Sequence, residues 1–202
     1  MKKIFCVLIL IFTIYYTKAD SPITSTDIYK AYMDVDMVNY ARKHPNLDKK
    51  IAEYLHSTDA SIDVKAAVIN AVGWSVEGKT NAEDYCKYIY SSLPKDVDIN
   101  SLSADELLCI GYLTVLDDYF HPKNAIPYLT KAKELNKTSF TVAIIDALIH
   151  AQDIMDDQGS WCDMWDIVHK VYDDKSIYND LRDDARKTIW DYMILYKCDK
   201  NK

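Results

Sequence analysis

The chain has 202 residues, with 24 lysines and arginines against 31 aspartates and glutamates, for a formal charge of −7. So acidic a chain is a poor match for nucleic acid or an anionic membrane surface, and a better one for cationic partners. Only four glycines and five prolines are present, and no Asn-Gly or Asp-Gly turn separates alternating runs, which argues against hairpin strands and for helices throughout.

Lys2 and Lys3 precede an apolar run from Ile4 to Tyr16, and Thr17-Lys18-Ala19 then offers a small-x-small cleavage site before Asp20. The run is short for a membrane span, and Cys6 lacks the small preceding residues of a lipid-anchoring site. Residues 1–19 are therefore expected to be a cleaved signal peptide, the alternative being an uncleaved anchor. Residues 20–202 are expected to form one exported domain, secreted or periplasmic, with no later membrane span. Cleavage would remove Lys2, Lys3 and Lys18, moving the charge to −10 on 183 residues, a length that supports a sizeable core.

The first helix is predicted from just after Thr26, with an apolar face of Ile28, Tyr29, Tyr32, Val35, Val38 and Ala41, to a stop at His44-Pro45. Asn46 caps a short partner carrying Leu47, Ile51 and Leu55. A third helix, Ile62–Glu77, has Ile62, Ala66, Ile69, Gly73 and Val76 on one stripe. Thr80 and Glu83 make a capping box for a fourth, and Pro94–Leu102 is the longest loop. Ser103 and Glu106 make a second capping box, opening a helix over Ala104–Phe120. Every residue from Leu107 to Leu113 is apolar or small, so that helix has no wet face and is expected to be buried between neighbours. His121-Pro122 breaks it. Asn124 then caps an amphipathic helix with Ala125, Tyr128, Leu129, Ala132 and Leu135 on its stripe and Pro127 in its first turn. Thr138 or Ser139 caps a long helix ending near Gly159. Ser160 opens another with Trp161, Trp165, Val168 and Tyr172, and a last one runs from about Ser176.

The second helix of each pair starts at Asn46, Thr80, Asn124 and Ser160, a period near 34 residues stretched once by the long loop. Ala125, Leu129 and Ala132 supply a small-large-small pattern in one of these second helices, and Gly111 lies in its partner. In period and in this pattern the chain resembles the tetratricopeptide family, although that family's tryptophan and closing proline are missing. The resemblance implies an all-α, right-handed stack of about four helical hairpins with a C-terminal capping helix, used to bind other proteins.

Cys86, Cys109, Cys162 and Cys198 remain after leader cleavage. An even count behind an export signal points to two disulfides with three connectivities open, and the other reading is buried free thiols. Cys86 and Cys109 come level about the long loop in an antiparallel pair, so that bridge is the expected one, leaving Cys162 and Cys198 as a second pair. None lies in a CxxC.

No GxSxG elbow, phosphate-cradling glycine loop, HExxH or dinucleotide fingerprint occurs. No cofactor is expected. Asp146, His150, Asp153 and Asp157 share one helix face, where two carboxylates and an imidazole could converge on a divalent metal or a cationic side chain. Trp74 lies with Asn70 and Glu77 on the polar side of its helix. If the first helices of successive pairs line a concave surface, Asn70, Trp74 and Glu77 adjoin Thr114, Asp117 and Asp118, and then Asp146, His150 and Asp153. The expectation is an acidic groove that binds a basic segment of another protein, in an envelope adaptor or an inhibitor or immunity-type protein without catalysis. The alternative is a metal-dependent enzyme using Asp146, His150 and Asp153.

Overall fold

The wholly apolar stretch becomes the middle of helix α5 (Ala104–Asp117), in which Leu107 through Leu113 are all buried. The computed structural model describes residues 21–156 and 160–198, so the expected leader, Asp157 and Gly159 lie outside the described residues. The other helices among the described residues are α1 (Asp36–Lys43), α2 (Lys49–His56), α3 (Ile62–Val72), α4 (Asn81–Tyr90), α6 (Ile126–Leu135), α7 (Phe140–Asp156), α8 (Trp161–Asp173) and α9 (Asp183–Met193). The protein is all-helical, with one parallel bridge, Ser139 to Tyr178, as its sole β pairing among the described residues. None of these helices is long and apolar enough to cross a membrane.

Residues from Ile23 to Tyr196 contribute to one buried core. Helix α5 takes a face from α3, α4 and α6; α6 in turn packs on α7, and α7 on α8. Helix α6 packs tightly over Gly111, where an added Cβ would lie 1.7 Å from Leu129 Cδ2. The Ser103–Glu106 capping box forms as expected. Ser139 and Ser160 also cap their helices, accepting from Val142 N and Cys162 N at 3.1 Å each.

Helix α9 returns to the N-terminal 3-10 turn Ile28–Tyr32. The Tyr32 hydroxyl accepts from Arg182 N at 3.0 Å and donates to Asp63 Oδ2 at 2.9 Å. The Arg182 guanidinium lies over the Tyr32 ring, donates to Ala31 O at 2.9 Å and pairs with Asp34. Asn39 Nδ2 donates to Met33 O. Two carbonyls that a continuous first helix would use are thus taken by side chains, and the expected helix is split into the 3-10 turn and α1.

Other boundaries move for comparable reasons. Asp48, not Asn46, caps α2, accepting from Ile51 N at 2.9 Å. Helix α3 stops at Val72 rather than Glu77, because Gly73 has φ +73° and ends the helix. The Thr80–Glu83 capping box is absent: Thr80 Oγ1 donates to Asp84 instead. Residues 176–182 are not helical. There Asp180 turns toward the start of α7, accepting from Ser139 Oγ, Thr141 N and Thr141 Oγ1 at 2.5, 2.7 and 2.9 Å.

Of the two expected bridges, the second forms and the first does not. Cys162 and Cys198 form a disulfide that ties the C-terminal turn to α8. Cys86 and Cys109 are free and buried. The Cys109 thiol points toward α2, with Leu55 O at 3.9 Å, whereas Cys86 lies close enough to Tyr128 of α6 to act on its ionisation. The two thiols face different neighbours, and burial pushes each up to about 12.

Candidate functional site

The residues expected to line one groove occupy three separate places. Asn70 is buried in the core, where its side chain accepts from Tyr29 N at 3.0 Å and donates to Thr26 O at 3.2 Å and the Tyr112 hydroxyl at 2.9 Å. Its amide is fully used in joining α3 to the N-terminal segment and α5. Trp74 is not helical. It stands in the turn after α3, half-buried, edge-on to Tyr119 with centroids 5.0 Å apart.

Glu77, Asp117 and Asp118 do come together, at the turns that end α3 and α5, around a cleft of about 410 Å³. Thr114, Asp117 and Asp118 also line an adjoining cavity of about 490 Å³ with Leu93, Pro94 and Tyr128. Within this cluster the roles diverge. Glu77 is exposed. Asp118 is exposed and pairs with His121 at 2.8 Å. The Thr114 hydroxyl donates back to Ile110 O at 2.7 Å. Asp117 is buried, at 7% exposure, and its Oδ2 accepts from Ala82 N at 2.7 Å. It therefore caps α4 from another hairpin, taking the place of the Thr80 side chain. Burial raises its carboxyl to about 6, against the opposing pull of the Ala82 and Asn81 amides and the Lys79 charge.

Lys79 is the residue that the sequence reading passed over. Its ammonium donates to Pro45 O, Val72 O and Gly73 O at 2.7, 2.9 and 2.9 Å. Its backbone N donates to Asp117 O at 3.0 Å, and burial lowers its ionisation. One side chain thus closes the C-terminus of α3 and holds the turn after α1. Asn81 adds a further tie, accepting from Leu47 N at 2.8 Å. The available signal was Gly73-Trp-Ser-Val-Glu-Gly78-Lys79, two of the chain's four glycines bracketing a short turn. Both have positive φ, +73° and +78°.

Asp146 and His150 form the third place. Asp146 is 3% exposed. Its Oδ2 is 2.8 Å from Lys133 Nζ, and its Oδ1 is 3.5 Å from His150 Nε2. Burial opposes the charge on Asp146, but His150 and Lys133 outweigh it and hold the carboxyl below its ordinary value. The bond to Asp146 in turn raises His150. Asp153 adds its charge to His150 from a distance but pairs with Lys123, at 3.8 Å. A lysine thus stands on each carboxylate where the metal-dependent alternative needs an open ligand, and no three histidine, cysteine or acidic side chains among the described residues are grouped to hold a metal ion.

Beside the Asp117 cluster the surface is an edge formed by the α3–α4 and α5–α6 turns. Val76 is 67% exposed and Phe120 is 55% exposed on the 410 Å³ cleft. Phe120 is backed by Tyr119, with ring centroids 4.2 Å apart, and Tyr119 by Trp74. Glu77 and Asp118 line the same cleft. No protein-family model matches this chain, and no curated protein or solved structure does.

Proposed function

We propose that the chain is an exported, non-catalytic protein-binding module of tetratricopeptide-like helical hairpins, and that it engages a basic partner through the edge formed by the α3–α4 and α5–α6 turns. The observation that carries this reading is the pairing of exposed Val76 and Phe120 on one cleft with the carboxylates of Glu77 and Asp118. Exposed apolar side chains framed by charge are the usual composition of a docking surface: the apolar groups slow dissociation, while a field of one sign raises on-rate and selects partners of the opposite sign. The net charge of −7 agrees with a cationic partner. The buried aspartates do not take part, because each is buried and gives its Oδ2 to the fold, Asp117 to Ala82 N and Asp146 to Lys133. An adaptor or an inhibitor of a secreted enzyme are the two forms this role would take.

The test compares immobilised parent protein with Phe120→Asp, exposed to an envelope extract of the native host. One protein should be retained by the parent, released by salt and lost with the variant, while circular dichroism shows both folded. Equal retention by the two would place the binding surface elsewhere.

A further inference from the structure

The turn between α3 and α4 has an unusual division between its ends and its tip. Both ends are fixed. Gly73 and Gly78 hold positive φ, and an added Cβ at Gly78 would lie 3.3 Å from Asp117 O. Lys79 binds three carbonyls across the base of the turn. Inside it, Gly78 N donates to Ser75 O at 3.0 Å and Glu77 N to Ser75 Oγ at 3.2 Å. Trp74 anchors one side against Tyr119. The tip is left open: Val76 is 67% exposed, and Glu77 beside it forms no ion pair among the described residues.

A short loop that merely connects two helices needs neither a locked base nor an apolar tip. Locking a loop removes the entropy that ordering would otherwise cost on association, which is how a small loop gains affinity. A projecting apolar tip is complementary to a concave site, not to a flat one. Since Lys79 has its ammonium on carbonyls, nothing in the loop neutralises Glu77. From this geometry we infer that residues 74–77 are a preformed insertion loop, which places Val76 in a cleft of the partner protein and sets Glu77 against a lysine or arginine at the mouth of that cleft. This deepens the proposed function and rests on it: the wider edge, with Phe120, is the contact surface, and the loop is the element that enters the partner. Occupation of a secreted enzyme's active-site cleft is the use that such a loop suits best.

The experiment is photocrosslinking of the full chain in its native host, with p-benzoylphenylalanine placed at 76, at 120, or at the control positions 178 and 195, whose native residues are both 74% exposed. Adducts are expected from 76 and 120 and not from 178 or 195. The adduct from 76 should map to a cleft segment of the partner containing lysine or arginine. Its yield should fall about tenfold with Glu77→Lys, and also with Gly78→Ala, which disturbs the positive-φ end of the loop. An adduct from 120 without one from 76 would overturn the insertion loop and leave the docking edge standing. So would a position-76 adduct that maps to a flat surface, or one unaffected by Glu77→Lys. Adducts only from 178 or 195, a homodimer-sized product, or none at any position would overturn both.

Discussion

Asp117 and Asp146 are both buried aspartates on the central helices, at 7% and 3% exposure, and their environments drive them in opposite directions. Asp117 closes the N-terminus of α4 with neutral amide donors, and burial dominates: its carboxyl rises to about 6. Asp146 joins α6 to α7 with a lysine and a histidine, and its carboxyl is held below the ordinary value. Burial alone therefore does not decide what a buried acid does; the charge of its donors does. The comparison also explains why an acidic pattern in the sequence misleads about function. In the Asp117 region the carboxylate that looks like a ligand site is a helix cap, and the surface beside it pairs exposed Val76 and Phe120 with the carboxylates of Glu77 and Asp118.

The largest expected effect is on Asp146. Asp146→Ala removes the buried carboxylate between Lys133 and His150, leaving the weaker fields of Asp174 on Lys133 and Asp153 on His150; both cations can turn partly to solvent, so the loss is set at about 2 kcal/mol, below that of a fully buried pair. Chemical denaturation should show it. The loss should be greatest between the ordinary values of 3.8 for the aspartate and 6.5 for the histidine. The lowered Asp146 gives stability that disappears as pH falls through its folded value, and the raised His150 gives stability that disappears as pH rises through its own.

Next in size is Lys79→Met, which removes the donor to Val72 O, Gly73 O and Pro45 O. A loss of about 1–2 kcal/mol is expected, together with faster amide exchange across residues 73–82. If exchange there is unchanged, the turn is not held by this lysine.

Asp117→Ala sacrifices a cap but also removes a poorly solvated charge. The raised carboxyl makes the folded state lose stability as pH climbs from about 4 through about 6. The variant should therefore cost about 1 kcal/mol at pH 5 and less at pH 8. Asp117→Asn, which keeps the acceptor for Ala82 N, should be the smallest change: a gain on the order of 1 kcal/mol at pH 8 that fades by pH 5. A pH-independent effect in both variants would remove the contrast with Asp146.

The parts of the fold that were legible in the sequence are those decided locally. The apolar run Leu107–Leu113, the Ser103–Glu106 capping box and the Ser139 and Ser160 caps depend on residues a few positions apart. What escaped depends on distant partners. Asp117 reaches Ala82 across 35 residues, Asp180 reaches Thr141 across 39, and Arg182 reaches Asp34 across 148. These contacts set where α4, α7 and the first helix begin or break, and no periodicity encodes them. The same limit governed the candidate site. Helical spacing placed Asn70, Asp117 and Asp146 on polar faces, and each face turned out to meet another hairpin. Trp74 and Glu77, placed on a helix face by the same spacing, lie in a turn instead, because Gly73 ends α3 early.

Asp117, at the end of α5, and Asp146, within α7, hold neighbouring helices together through Ala82 N and Lys133, while Val76 and Phe120 of the nearby turns face outward. The most direct measurement is a carbon-13 NMR titration of the aspartate side-chain carboxyls in the intact protein. Asp117 is expected to titrate at about 6 and Asp146 below the ordinary 3.8. An Asp117 that titrates like a solvated carboxyl, near 4, would mean that it faces water rather than Ala82, and would return it to the acidic groove that the sequence alone suggested.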